Sequence, residues 1–352
     1  MSRLMMPPPA AAVVSVRHHR VPPLTPVGEC LLTVMRRTPD AAYVFHGRVD
    51  DDLRRQSRTG AAAPMEARMT ISVGIVGVGD MGSELVPHLV GDGYAVTAFD
   101  VDPARLDAAV AAGAQRAVSP YDAATRADVL LSLVMSQDIP AAHFGDQGIL
   151  AGLRPGALLV VGSTTTPEMM EAVHRHADPA VAVVDAPIVG GVRYAREKSL
   201  TFLVGGEPAS VDRAEAVLTS LGKVEKVGPA GSGVAYKLIT NSFVMAAEVG
   251  LREALDLTDV LGGDYETALR LFRVGPMAAV VTRALDESNP RPLRASAEDF
   301  DTLLSAVGDP SLLPISAAGR SRLWNAVTVD PTHEPMFVEL TRKTTALPPY
   351  RG

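Results

Sequence analysis

The stretch Ile71-Ser72-Val73-Gly74-Ile75-Val76-Gly77-Val78-Gly79-Asp80-Met81-Gly82 decides the fold. Its first half is short, apolar and β-branched, which suits a parallel strand buried on both faces. Its second half is G-x-G-x-x-G, at Gly77, Gly79 and Gly82. Residues 83–90 follow with helical spacing, and Gly91-Asp92-Gly93 stops them. A second apolar run, residues 94–99, ends at Asp100. Each part has a physical task. Gly77 permits the tight turn, Gly79 lets the backbone approach a pyrophosphate, and Gly82 lets helix and strand pack closely. The helix N-terminus offers unpaired N–H groups and its positive dipole end to phosphate. Asp100, about 20 residues beyond the glycines, can accept hydrogen bonds from a ribose. A lone G-x-G-x-x-G says little. One held between strand and helix, with an acid at this distance, predicts dinucleotide binding. Asp100 would repel a 2′-phosphate and so favours NAD, while Arg105, a turn further on, leaves NADP open.

The alternation continues outward. Residues 128–135, 157–161, 181–185 and 200–204 read as strands, with helical spacing between most of them. This is the pattern of an α/β chain with a doubly wound sheet. Ligands of such sheets lie outside the strand C-termini, so Asp100, Met135, Ser163, Thr164, Asp185 and Pro187 are expected around one crevice. After residue 228 the period changes. From Gly231 the chain reads helical: a long apolar helix from near Ser232 to near Leu261, then shorter helices to near Leu340. We expect a Rossmann-type domain over 69–230, an all-helical domain over 231–345, and a site between them.

Bulk composition narrows the possibilities. Hydrophobic residues make up 47% of 352, enough for a sizeable core. The net charge of −7 argues against nucleic acid or an anionic membrane as the main partner. One cysteine, Cys30, excludes a disulfide framework or a multi-cysteine metal site within the chain and suits a reducing cytoplasm. The histidines form no metal set: His174 and His176 are two apart and face differently on a helix. No apolar run approaches the length of a membrane span. An excess of Arg over Lys, 28 against 5, suits a GC-rich bacterial genome. Residues 1–68 differ from the rest. They hold ten Arg, no Lys and six acids, a net +4, leaving −11 for 69–352. Three readings stand for them: translation from a start upstream of the working domain, a disordered tail, or a targeting segment. The prolines count against the last.

The stretch Gly231-Ser232-Gly233-Val234-Ala235-Tyr236-Lys237-Leu238-Ile239-Thr240-Asn241 carries one lysine and, a turn later, one asparagine on the same helical face. A lysine on an apolar helix ordinarily snorkels to water, and a lone asparagine is ordinarily a cap or a satisfied core amide. Four stretches, in order, resemble the β-hydroxyacid dehydrogenases, the family that contains 3-hydroxyisobutyrate dehydrogenase and tartronate semialdehyde reductase and is related to 6-phosphogluconate dehydrogenase. GIVGVGDMGSELVPHLV resembles the family's cofactor start. GSTTTPE (Gly162 to Glu168) resembles its S-T-x-x-P loop. DAPIVGGVRYAREKSLTFLVGG (Asp185 to Gly206) resembles its D-A-P-V-S-G-G substrate loop. GSGVAYKLITN resembles its catalytic helix G-x-G-x-x-x-K-x-x-x-N.

The resemblance implies hydride transfer between NAD and a small β-hydroxy acid or its semialdehyde, by a homodimer or homotetramer. It implies Lys237 as proton donor or acceptor and Asn241 orienting the substrate. It places the cofactor on Gly77, Val78, Gly79, Asp80, Met81, Gly82, Asp100, Val134, Met135 and Thr164. It places the substrate carboxylate near Pro187, Val189, Gly190, Gly191 and Tyr194. Asp185 is expected to position its own loop; Trp324, Leu312 and Leu313 are expected in core or subunit contact. Four positions depart from the family. Val189 replaces the substrate-loop serine, Tyr194 and Lys198 replace glycines, and Glu298 replaces the lysine of a K-D-L segment. Two other readings remain: an imine reductase of the same architecture, and a catalytically silent relative that binds a dinucleotide and acts through protein contacts.

Overall fold

A computed structural model describes residues 71–341, so the readings for residues 1–68 lie outside it. The described residues belong to one compact unit. Nine strands form one sheet: β1 Ser72–Val76, β2 Ala95–Phe99, β3 Gln115–Arg116, β4 Val129–Ser132, β5 Leu158–Val161, β6 Ala182–Asp185, β7 Ile188–Val189, β8 Leu200–Gly205 and β9 Gly222–Gly228. Their order is β3-β2-β1-β4-β5-β6-β8-β7, with β9 paired to β8. From β3 to β6 every pairing is parallel; β8 then runs antiparallel to β6 and β7. Order 3-2-1-4-5-6 is that of a dinucleotide-binding doubly wound sheet. The central strands β4 and β5 are buried at every position, as their unbroken apolar runs dictate.

Register explains the crevice. Val76 pairs with Phe99 on one side and Ser132 on the other, Ser132 with Val161, and Val161 with Asp185. Five strands therefore end in one row, and the loops after them leave from the same edge.

Eight helices accompany the sheet: α1 Gly82–Gly91, α2 Pro103–Ala111, α3 Pro120–Thr125, α4 Ile139–His143, α5 Ile149–Gly152, α6 Pro167–His176, α7 Val192–Arg196 and α8 Pro208–Leu218. Five more follow: α9 Ser232–Val260, α10 Tyr265–Phe272, α11 Ala278–Ala284, α12 Leu293–Ser305 and α13 Pro314–Thr328. Strand β4 is shorter than the run at 128–135 suggested. The chain leaves the strand after Ser132, and the Val134 carbonyl accepts a hydrogen bond from the next loop at 2.7 Å.

Apolar residues gather in three clusters, two flanking the sheet and one among the last helices. Helix α9 joins them. Val234 belongs to a sheet cluster and Leu238 to the helical cluster, so Lys237 sits at the seam. Trp324 and Leu313 pack partly buried against the helical cluster, whereas Leu312 is 69% exposed.

Candidate active site

The glycine-rich loop is shaped by its neighbours. Gly77 has φ +93°, a left-handed conformation that a side chain would strain, and its N–H donates to the Phe99 carbonyl at 2.9 Å. A Cβ on Gly82 would collide with the Gly77 carbonyl oxygen. Asp100 takes the Val78 N–H at 2.8 Å on one oxygen and the Asp102 N–H at 2.9 Å on the other. Its carboxylate thus ties the loop to the end of β2 while keeping lone pairs for a ribose. Arg105 does more than lie a turn away. A Cβ on Gly79 would stand 3.1 Å from its guanidinium nitrogen, and the guanidinium lies 3.9 Å from Asp80 and 3.7 Å from Asp102. Met81 is partly buried and packs against the sheet cluster. The turn, the bare glycine face and the helix start form a cradle that side chains would fill, and it fits a dinucleotide's phosphates.

Two further loops are stitched together beside it. Ser163 donates its hydroxyl to the Val134 carbonyl at 2.7 Å, and Ser136 reaches Thr165 at 3.4 Å. Thr164 and Met135, each between two of these anchors, are thereby brought side by side along the strand ends. Met135 is 42% exposed at this edge.

Asp185 ends β6 and is fully buried. Its two carboxylate oxygens accept the N–H groups of Gly231 at 2.7 Å and Val234 at 3.0 Å, at the start of α9. Gly233 must be glycine here, because a Cβ would strike the Leu203 carbonyl and the Asp185 carboxylate. Burial raises the Asp185 pKa, while these backbone N–H groups pull it down. Asp185 therefore positions the lysine-bearing helix and not merely its own loop, a role visible only once the strand end and Gly231 are seen to meet.

On α9, Lys237 is partly buried and Asn241 buried. Asn241 donates its Nδ2 to Asp299 Oδ2 at 3.4 Å, and Arg291 donates to the same oxygen at 3.0 Å. Burial pushes the Lys237 pKa down to about 8; Asp299 and Glu248 oppose that shift, while Arg291 and Arg283 add to it. Glu248 is itself buried and held by Arg283 at 2.7 Å. Asp299 and Arg291 were not singled out in the sequence. The signal was the acid beside Glu298 in the segment matching K-D-L. Glu298 is partly buried and its pKa is raised, first by burial, with Asp299, Asp301 and the distant Asp138 adding to the rise.

The substrate loop runs along the sheet edge. Pro187 is buried, its carbonyl accepting the Leu203 N–H at 3.0 Å. Val189 is 39% exposed and Gly190 has φ +138°. Tyr194 packs against the sheet cluster with the Arg193 guanidinium 4.7 Å above its ring, the contacts of a packing residue. A hollow of about 580 Å³ between α6 and the start of α9 contains neither Lys237 nor Asn241.

Residues 72–233 match the NAD binding domain of 6-phosphogluconate dehydrogenase. The chain is 30% identical over 275 residues to an L-threonate dehydrogenase of Cupriavidus necator, covering 68% of this chain and 92% of that one. The chain belongs to the β-hydroxyacid dehydrogenase family. It is 31% identical over 204 residues to an NAD-dependent L-serine dehydrogenase of Pseudomonas aeruginosa, covering 57% and 68% of the two chains. In fold it is similar to a Mycobacterium tuberculosis 3-hydroxyisobutyrate dehydrogenase solved with L-serine, at TM-score 0.66 and 22% identity over 78% of this chain and 98% of the other. As in the rest of the β-hydroxyacid dehydrogenase family, the cofactor half is an NAD-binding domain. Among the described residues no helix is long and apolar enough to cross a membrane, and no group of three His, Cys, Asp or Glu is placed to hold a metal ion.

Proposed function

We propose that the protein oxidises a small β-hydroxy acid, or reduces the matching semialdehyde, with Lys237 as the proton acceptor and donor. One observation carries the reading. Lys237 lies at the seam of the two layers beside Asn241, with its pKa lowered to about 8. A lysine poised near neutrality can take a proton from a hydroxyl and return it to a carbonyl. Its charged form also stabilises alkoxide character on that oxygen. Asn241, its Nδ2 fixed by Asp299, is left with an oxygen and one N–H to orient the substrate without adding charge. The backbone at Gly190 and Gly191 holds the carboxylate, with Pro187, Val189 and Tyr194 shaping that wall. Bound NAD supplies the hydride acceptor. Gly77 to Gly82 and Asp100 hold its phosphates and ribose, and Val134, Met135 and Thr164 border its nicotinamide end.

The preference is for NAD, because Asp100 opposes a 2′-phosphate; Arg105 over Gly79 is the group through which NADP would still bind. The division of labour is a cofactor domain over 69–230 and a substrate and dimerisation domain over 231–345. The active form is a homodimer or homotetramer in the cytoplasm. Its contact uses the face of α9 that bears Tyr236, Ile239, Phe243, Leu257 and Val260, which are 49–80% exposed. Light scattering that returned only monomer would count against that contact.

The test is a panel of β-hydroxy acids, semialdehydes and cyclic imines, followed by absorbance of the reduced nicotinamide. Turnover of a β-hydroxy acid is expected. Turnover of imines alone, or of nothing while NAD still binds, would overturn the reading.

A further inference from the structure

The segment from Asp286 to Arg291, between α11 and α12, touches both parts of the site. At its start Asp286 pairs with Arg193 of the substrate loop at 3.2 Å. At its end Arg291 pairs with Asp299, the acid that also holds Asn241. Its backbone is anchored beyond that point: the Phe337 N–H donates to the Arg291 carbonyl at 2.8 Å, and Leu293 N–H to the Pro335 carbonyl at 2.8 Å. Between these anchors stands Asn289. Its side-chain amide lies against Gly191: a Cβ there would meet Asn289 Oδ1 first and then Nδ2, at 2.6 Å. Its Oδ1 accepts the Arg193 N–H at 3.3 Å. That bond sets the sense of the amide, because only the oxygen can accept. Nδ2 is left with no acceptor among the described residues, on a partly buried side chain against Gly191.

Val189 makes this placement matter. Where the family carries a serine hydroxyl, this chain offers two methyl groups, so the substrate loop is one side-chain donor short. The Asn289 amide brings a donor to the same loop from a segment about 100 residues away in the chain. We propose that Asn289 is a specificity-determining residue of the substrate site, its Nδ2 donating to the substrate carboxylate in place of the missing hydroxyl. The proposal rests on the reading that this loop holds a carboxylate. It adds which group recognises that carboxylate and why Val189 is tolerated.

The test measures binding of isobutyrate, a carboxylate with no hydroxyl to oxidise, to the NAD-loaded full-length protein by calorimetry. Wild type is compared with Asn289→Asp, Asn289→Ala and the double variant Asn289→Ala/Val189→Ser. Asn289→Asp keeps an oxygen for the Arg193 N–H and the shape of the latch, but turns the donor into a second carboxylate oxygen. The Kd for isobutyrate should rise at least about tenfold in both single variants, the worth of one charge-assisted hydrogen bond, while the Kd for NAD stays within about twofold. The added serine should recover most of the loss. Three results would overturn the proposal: wild type that does not bind isobutyrate, Asn289→Asp that binds it as wild type does, or a parallel loss of NAD affinity, which would make Asn289 a structural latch only. Wild type that binds isobutyrate through Asn289 yet oxidises no β-hydroxy acid would instead sink the reading of the reaction and leave the carboxylate site standing.

Discussion

The sheet layer and the last five helices are held together by different means. In the sheet, adjacent strands pair backbone to backbone in one continuous parallel register from β3 to β6, and the glycine-rich turn is fixed by the Phe99 carbonyl and the Asp100 carboxylate at the end of the neighbouring strand. Among the helices, charged side chains join distant segments. Buried Arg252 reaches the Leu340 carbonyl at 2.9 Å and Asp256 at 2.6 Å; Arg322 meets the same Asp256; Arg283 holds Glu248. The partners of three of these contacts stand 88, 66 and 35 positions apart. The Arg283–Glu248 pair is costly to break from the arginine side, since the Glu248 charge stays buried. The difference teaches where each half can vary. The cofactor half tolerates few changes in its turns. In the helical half a change at one side chain calls for a matching change in its distant partner.

The largest effect should come where the halves meet. Lys237→Ala should lower kcat by about 10²–10⁴-fold, the ordinary worth of a positioned acid–base group. The Kd for NAD should remain within about twofold, because the glycine turn is built without α9. Steady-state kinetics and calorimetry check both. If turnover survives, Lys237 is not the acid–base group; if NAD binding falls with it, the halves are not separable.

Asp185 probes the joint from the sheet side. Asp185→Ala would leave the Gly231 and Val234 N–H groups buried without their acceptor, so it should cost about 2–3 kcal/mol in unfolding free energy. Asp185→Asn keeps one acceptor and removes the buried charge, and it should lose less by about 1 kcal/mol or more. Equal losses in urea titration would show that the helix start is held by packing and not by the carboxylate.

How much of this could be read beforehand follows the same division. The β1–turn–α1 unit and the doubly wound class of the sheet were legible, because strand, glycine spacing and acid lie within one short stretch governed by local geometry. The family resemblance supplied Lys237 and Asn241. What was not legible was whatever depends on side chains brought together over long separations: Asp185 capping α9, Arg105 over Gly79, Asp299 holding Asn241, and Asn289 against Gly191. No local period encodes such pairs. Tyr194 stood out only as a departure from a family glycine; that its ring packs on the sheet cluster is likewise a contact no local period encodes.

The charges around Lys237 give a smaller effect with a definite sign. Oxidation needs the neutral lysine, so kcat should rise with pH through about 8. Asp299 holds the proton on; Asp299→Asn should move that limb to lower pH. Arg291 drives the proton off; Arg291→Gln should move it to higher pH. Shifts of about 0.5–1 pH unit are expected, about 0.7–1.4 kcal/mol each. Movement of both limbs in one direction would mean that the titrating group is not Lys237. The same lysine costs stability. Its folded pKa lies below the unfolded value of about 10.4, so the penalty is full below pH 8 and fades as pH rises toward that value. Lys237→Met should therefore raise the melting temperature more at pH 7 than at pH 10.

The smallest effect tests how the loop tolerates losing a glycine. Lys198 has φ +53°, in the left-handed region, at a position where the family carries glycine. That conformation costs an ordinary side chain about 1–2 kcal/mol. The Lys198 ammonium lies 3.0 Å from Asp92, and this pairing pulls the Asp92 carboxyl below its usual range. Both partners are more than a third exposed, so the pair returns at most a fraction of the strain. Lys198→Ala keeps the strain and loses the pair; Lys198→Gly loses both. The glycine variant should then be more stable than the alanine variant by about 1 kcal/mol and lie close to wild type. A wild type more stable than both by a wide margin would assign the position to the Asp92 pairing. A glycine variant more stable than wild type would mark Lys198 as a cost the substrate loop carries without return.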